Sequence, residues 1–552
     1  MPVGVDDFKE LRENYYLVDK TDFIRQLLDG HSKVTLITRP RRFGKTLTMS
    51  MLDYFFSLEK KDATDHLFDG LAINEAGADY MDRRGSSPTI FLTLRSVKKL
   101  DFAGMLETLR FVIKDLYDAH REALHEAMVD PSDKDYIEHI LLRQATQEEL
   151  EQSLLQLCKF LYQAFARPVI LLLDEYDVPL QQSWESGYYD EGIAFMKNFL
   201  GNALKGNPYL DFAIITGVLR VGKESIFSDL NNLRVCSVLS EKYADVFGFT
   251  FDEVKRMTED MGRPELLPIL KDWYDGYHFG GNEIYNPWSV INFFDEGGEP
   301  QAYWVHTSSN GILREMLSHA RSKRLQEMKL LLEGGMVNAR IDDRIAYEEL
   351  PRSDNALYTL LLTTGYLTVA EKERVAAASR YTLRLPNKEL QSVFATEIMD
   401  HMAKGITASE FDTLLDSMLA GQTEEFEYWL QQILVCIVST FDTANKESFY
   451  HGLMLGLVAM LTDNKAYRVE SNRESGHGRF DLALIPSDKV NVGVIMELKV
   501  ADTPEDMEAK AQEALAQIKK KAYTTELTQV GVKDIWCYGI SFCGKKVYIV
   551  RR

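Results

Sequence analysis

The sequence predicts an α/β protein in three parts. Residues 1–295 read as a parallel sheet with helices on both faces, 296–440 as a helical connector with a winged-helix-like hairpin, and 441–552 as a compact α/β unit. Three observations predict this. Short β-branched runs alternate with long amphipathic stretches over roughly the first 250 residues, the pattern of strands linked by crossover helices. Two of those runs are near-continuously apolar, as strands buried on both faces are. The last part has its own order of strands and helices after a polar break at Phe441–Glu447.

Taken in order, the first part offers strands at Lys33–Thr38, Thr89–Leu94, Val169–Leu173 and Phe212–Thr216. Helical periodicity fills Met105–Leu124 and Glu149–Phe165 between them. After Gly248, Thr250 and Glu253 form a capping box ahead of a short helix. The aromatic-rich loop Trp273–Phe294 then closes this part. From Trp304 to Met402 the text is mostly helical, interrupted by a hairpin whose arms are Leu360–Ala370 and Arg380–Asn387. Ala408–Ser439 is helical again. The last part reads helix Phe449–Leu461, strands Tyr467–Ser471, Arg479–Ile485 and Val492–Val500, helix Glu505–Tyr523, and strands Asp534–Ser541 and Lys546–Val550.

Composition narrows the function classes. With 552 residues at ~150 per domain, three or four folded units are expected. Acidic residues outnumber basic ones 84 to 63, and a net charge of −21 argues against a nonspecific polyanion coat. The five cysteines are dispersed, with no paired CxxC spacing, which suits thiols in a reducing compartment. The N-terminal residues lack a signal-peptide pattern. The longest apolar block, Gly452–Leu461, falls well short of the ~20 residues a membrane span needs. A cytoplasmic protein without a membrane partner is expected.

The chemistry of the first part begins where strand Lys33–Thr38 runs into RPRRFGKTLT. Gly44, Lys45 and Thr46 are the closing half of a P-loop: backbone N–H groups at a helix N-terminus cradle phosphates, lysine bridges them, and the threonine hydroxyl meets Mg²⁺. Arg39 stands where the usual first glycine would be. Arg41 and Arg42 flank the loop, with Phe43 beside Gly44. The apolar strand VILLLDEYD ends in carboxylates, Asp174 to hold the Mg²⁺ shell and Glu175 to polarise an attacking water. Asp177 reads as a solvated turn carboxylate. Thr216 ends a third strand where it is placed to sense a γ-phosphate. Arg220, one turn beyond, reads either as a phosphate-sensing arginine, a finger for a neighbouring subunit, or a surface arginine.

RPRRFGKT, LLLDEYD, TGVLRVGKESIFSDLNN, WYDGYHFGG and YNPWS, with GYLT at Gly365–Thr368 and LPNKE at Leu385–Glu389, together resemble a bacterial AAA-ATPase-like family. Chains of that family carry a C-terminal nuclease-like domain of the PD-(D/E)xK superfamily. The resemblance implies a P-loop NTPase fold first and a restriction-endonuclease-like fold last, and Arg39 is part of its RPRRFGK pattern.

In the last part, Asp481, Glu497 and Lys499 are charged outliers on apolar strands. Glu497 and Lys499 are two apart and share a face. Two carboxylates can hold a Mg²⁺ that positions and activates a water at a phosphodiester, while lysine stabilises developing charge. That matches the D…ExK core that the resemblance also implies. Glu470 reads as a further metal ligand or as a surface carboxylate. Gln517 and Tyr523 match an accessory helix of several nuclease branches, in which glutamine orients substrate or lysine. Lys519, Lys520 and Lys521 add a basic run, and His451 reads as a core or helix-end histidine, or as one supporting the site. The expected ligands are ATP and Mg²⁺, with Mn²⁺ as a substitute at the second site. The expected partners are DNA and further copies of the chain. A nucleotide-dependent oligomeric switch whose last domain binds without cutting is the rival reading.

Overall fold

The computed structural model describes residues 1–127, 130–221, 233–304, 327–328, 330–331, 334–342, 347, 353–375, 378–394, 408–438, 447–459, 467–471, 474–475, 478–479, 481–488, 490–529 and 531–552. Several expectations lie outside these residues: helix over 305–326 and 395–407, the polar break at 441–446, and the whole of the KESIFSDLNN stretch. The chain divides into two compact units, Met1–Tyr303 with Ala339–Tyr381 and Trp304–Asn338 with Thr382–Arg552.

The first unit is built on a five-stranded parallel sheet. Its strands are β1 (Val34–Thr38), β2 (Thr89–Thr93), β3 (Val169–Asp174), β4 (Leu210–Gly217) and β5 (Leu233–Cys236), in the order β2-β3-β4-β1-β5. β1 and β3 are buried along their whole length, as their apolar runs require. Four of the strands coincide with the sequence reading within two residues. β5 was not foreseen: four residues with one buried position give no periodicity to detect.

Helix α1 (Lys45–Phe56) starts at Gly44, whose φ of 79° is the left-handed conformation that lets the strand turn directly into a helix. Helix α2 (Gln147–Phe165) begins with a capping box from Thr146 and Glu149, and the box at Thr250 and Glu253 forms as expected. The stretch Met105–Leu124 is two helices, Phe102–Ala119 and Arg121–Ala127, broken at His120. The first arm of the expected hairpin also differs. Residues up to Thr364 finish helix α3 (Asp354–Thr364), Gly365 caps it at φ 93°, and the strand begins at Thr368. Its partner strand is Ala378–Arg384.

The second unit carries a mixed sheet of β6 (Tyr467–Ser471), β7 (Leu482–Pro486), β8 (Gly493–Val500), β9 (Ile535–Cys543) and β10 (Lys546–Arg551), in sequence order. Only β8 and β9 are parallel, joined through helix α7 (Met507–Lys521). One face packs on helices α4 (Ala408–Leu419), α5 (Thr423–Val438) and α6 (Glu447–Ala459) through Leu430, Leu457, Leu484, Met496, Leu498 and Ile540. Helices read as part of a connector thus share one core with the C-terminal sheet. The other face packs on α7 through Ala483, Ile485, Ile495 and Ile518. Gly539 lets α7 approach: a Cβ there would lie 2.2 Å from the Ala511 carbonyl oxygen. Among the described residues, no helix is long and apolar enough to cross a membrane.

Candidate functional site

Two clusters of polar side chains sit on these sheets, one in each unit. In the first, the parallel arrangement puts the C-terminal ends of β1, β3 and β4 at one edge, where ligands of open α/β sheets bind. β4 lies between β1 and β3, so its last residues stand between the loop 39–46 and Asp174. Asp174 is fully buried and accepts from two hydroxyls, Thr46 Oγ1 at 2.7 Å and Thr216 Oγ1 at 2.5 Å. The structure therefore brings together three residues that the sequence spreads over 171 positions (216 − 46 + 1). Thr216 is itself fully buried and donates its hydroxyl to Asp174, which holds that carboxylate in place.

Lys45 is only 7% exposed, and burial lowers its pKa against the opposing pull of Glu175 and Asp174. Its Nζ donates to the carbonyls of Arg39 (3.1 Å) and Pro40 (2.8 Å), a resting position from which a phosphate can recruit it. Glu175 stands at φ 53°, a strained setting for a carboxylate residue. Burial first, and then the neighbouring Asp174 charge, raise its pKa. A raised carboxyl beside a phosphate cradle is placed to exchange a proton with water.

The flanking basic residues divide. Arg39, which stands at the first-glycine position, is fully buried. It donates to the carbonyls of Thr38, Cys236 and Tyr243 at 2.8–3.0 Å and lies against the Phe247 and Phe279 rings. Burial pulls its pKa down to about 10. Its side chain thus ties the start of the 39–46 loop to the end of β5 and to the segment after it. Arg41 donates to Gln181 at 3.0 Å. Arg42, at φ 68°, lies 3.6 Å from the centroid of the Trp288 ring. The Phe43 side chain is buried against Tyr277 and Phe279, which leaves only its backbone for phosphate.

Asp177 is not a solvated turn residue. It is 4% exposed, and its Oδ2 accepts from the amides of Val218 (2.9 Å) and Leu219 (2.8 Å). The WYDGYHFGG and GYLT motifs support the same edge. Tyr277 and Phe279 pack on Phe43, the His278 amide donates to Thr368 Oγ1 at 2.8 Å, and Gly365 has no room for a Cβ, which would lie 2.9 Å from Pro40 Cβ.

In the second cluster, alternation along the strands puts Glu497 and Lys499 on the α7 face of the sheet, opposite the face of Met496 and Leu498. Glu497 is 2% exposed and accepts a hydrogen bond from Gln517 Nε2 on α7. Lys499 Nζ lies 3.9 Å from Glu497 Oε1. Asp481 just precedes β7, and its Oδ2 accepts from the Leu498 amide at 2.8 Å, taking the place of a ladder carbonyl between Glu497 and Lys499. Burial raises the Asp481 pKa against the opposing Leu498 amide and the charges of His451 and Lys499. His451 Nε2 lies 3.0 Å from the Asp481 carbonyl oxygen. Its neighbour Tyr450 fixes α6 by stacking on Phe542 at 4.2 Å. Tyr523 is buried beside Gln517, within the electrostatic reach of Glu497 and Asp481, and burial raises its pKa.

Glu470 shares this face. Its Oε1 pairs with Arg468 Nη2 at 2.9 Å. It stands opposite Ala483, two strands from β8 and so roughly 10 Å away at ordinary strand spacing. Among the described residues, no group of three or more His, Cys, Asp or Glu side chains could hold a metal ion. The donors at hand are carboxylate and hydroxyl oxygens: Asp481 with Glu497 in one cluster, Asp174 with Thr46 in the other. Hard oxygen sets of this kind fit Mg²⁺ or Mn²⁺ completed by water.

Comparison with known proteins agrees with this division. Residues 2–227 match the family model described as Predicted AAA-ATPase, and residues 445–552 match the PD-(D/E)XK nuclease superfamily. A protein of Azotobacter chroococcum mcd 1, named only as an uncharacterized protein in the vnfD 5′ region, is 26% identical over 562 residues. That similarity covers 98% of this chain and 96% of the relative.

Proposed function

From a chain with an AAA-ATPase-like region at its N-terminus and a PD-(D/E)XK superfamily domain at its C-terminus, we propose an ATP-binding enzyme that controls a divalent-metal-dependent DNA nuclease. DNA processing or defence against invading DNA is the setting this reading fits. The observation that carries it is the buried Glu497 carboxylate, held by Gln517 and Lys499 beside Asp481. A module that only binds has no need of a buried carboxylate beside a half-buried one and a lysine, because each uncompensated buried charge is unfavourable.

At the first site, Lys45 and the backbone amides of 43–46 would bind and orient the phosphates, and Thr46 and Asp174 would hold Mg²⁺. Glu175 takes a proton from the attacking water. At the second site, Asp481 and Glu497 hold the metal, which when bound supplies a water of lowered pKa and neutralises phosphate charge. Gln517 fixes the rotamer of Glu497. Lys499 donates to the phosphate oxygen as negative charge builds. Lys519, Lys520 and Lys521 close α7 and offer positive charge to a passing backbone.

The test incubates wild type, Lys45→Ala and Lys499→Ala with linear, nicked and single-stranded DNA, with Mg²⁺ or Mn²⁺ and with or without ATP. Wild type is expected to cut at least one substrate, Lys499→Ala to lose cutting while keeping ATP turnover, and Lys45→Ala to lose the response to ATP. No cutting of any substrate, or cutting that survives Lys499→Ala, sinks the nuclease reading. ATP-dependent assembly without cutting, unaffected by Asp481→Ala, would establish the oligomeric switch in its place.

A further inference from the structure

The two residues that follow the catalytic pair of β3 have no chemistry of their own to perform, yet both are buried and polar. Tyr176 is fully buried. Its hydroxyl donates to the Leu219 carbonyl at 2.8 Å and accepts from the Val221 amide at 3.1 Å. Asp177 accepts from the Val218 and Leu219 amides. Four hydrogen bonds from two adjacent side chains thus hold the backbone on both sides of Arg220.

The contact is close-packed as well as hydrogen-bonded. At Gly217, a Cβ would lie 2.6 Å from Asp177 Oδ1 and 2.8 Å from the Tyr176 ring. The Gly217 carbonyl accepts from the Arg39 amide at 3.1 Å, and the Thr216 carbonyl from the Tyr176 amide at 3.1 Å. One rigid block therefore runs from Asp174 and Glu175, through Tyr176 and Asp177, to the turn that bears Arg220, with the start of the phosphate loop attached. Charge follows the same geometry: Arg220 lies near enough to Tyr176, and Lys45 to Asp177, to act on them electrostatically.

We propose that Tyr176 and Asp177 are positioning residues that fix Arg220 at the nucleotide edge of the sheet, so that the arginine acts on the phosphates in register with Asp174 and Glu175. This rests on the ATPase reading above. In it, the DEYD stretch has two halves, Asp174 and Glu175 for metal and water, Tyr176 and Asp177 for the arginine. The hydroxyl and the carboxylate are used because buried backbone N–H and C=O groups of a turn need partners, and side-chain donors and acceptors under Gly217 supply them.

The full-length protein tests this with Tyr176→Phe, Asp177→Ala, Asp177→Asn, Arg220→Ala and the Tyr176→Phe/Arg220→Ala double variant. Tyr176→Phe keeps the ring under Gly217 and removes only the two hydroxyl bonds. It is expected to lower kcat for ATP about tenfold while KM stays within twofold. Arg220→Ala is expected to lose at least as much, and the double variant no more than Arg220→Ala alone. Asp177→Asn, which keeps an accepting oxygen, is expected to recover most of what Asp177→Ala loses. Wild-type kcat in Tyr176→Phe, or a double variant that loses the product of the single factors, overturns the inference.

A second measurement does not depend on turnover. Limited trypsin cleavage after Arg220, mapped by mass, is expected to be slow in wild type and at least fivefold faster in Tyr176→Phe; equal rates overturn the clamp. A wild type without ATP turnover, whose Arg220–Val221 bond still opens in Tyr176→Phe, removes the ATPase reading and leaves the clamp standing.

Discussion

Asp481 keeps a carboxylate in a place that disfavours its charge. Burial raises its pKa above the usual 3.8, so the folded chain binds its proton more readily than the unfolded chain does. The sign follows from linkage: stability falls as pH rises from 3.8 through the raised value, and at neutral pH the ionised group works against the metal-free fold. Asp481→Asn, which can still accept from the Leu498 amide, is expected to raise the Tm of the metal-free protein by about 2–4 °C, the shift that ~1 kcal/mol gives in a unit of this size. Millimolar Mg²⁺ is expected to raise the wild-type Tm and leave that of Asp481→Asn unmoved, as followed by thermal denaturation. Burial bears on Lys45 in the same way but with the opposite direction of shift, lowering its pKa and favouring its neutral form until an anion arrives. Lys45→Ala is expected to weaken a fluorescent ATP analogue about 10- to 100-fold, the loss of one or two charge-assisted hydrogen bonds, in equilibrium titration.

Elements were legible in the sequence where a physical pattern repeats over enough residues. β1, β3 and β8 are apolar runs, α2 carries both its capping box and its heptad-like stripe, and the order of the last unit was readable strand by strand. What failed was short or local: β5 has too few residues, and the arm at Leu360–Thr364 reads as a strand because three leucines followed by two β-branched threonines cannot reveal a period. The approach of α7 to the sheet was also invisible, because it depends on Gly539 in β9. Gly539→Ala places a methyl against the Ala511 carbonyl and the Leu515 amide, backbone atoms that cannot rotate away. We expect a loss of about 1–3 kcal/mol in urea unfolding. Because α7 also carries Gln517, metal-dependent activity is expected to fall more than stability does.

At the scale of the whole molecule, the −21 net charge and the two clusters make one joint prediction. An acidic chain repels DNA at long range, so contact has to be short-range and supported by metal at Asp481 and Glu497. Binding to DNA is expected to need Mg²⁺ and to vanish with a chelator. Its affinity is expected to fall with salt at a log–log slope no steeper than about −4, the signature of only a few phosphates engaged. Fluorescence anisotropy across a salt series measures both. By itself, the sequence determined that two sets of charged and polar residues stand on otherwise apolar strands and which strands bear them, because residue type and strand period are local properties. Only the tertiary structure decided what each residue faces. β4 enters between β1 and β3 and turns Thr216 onto Asp174, the segment after β5 buries Arg39, and Tyr176 and Asp177 turn inward onto 218–221. Strand order and burial are set by contacts between residues far apart in the chain, and no local pattern encodes them.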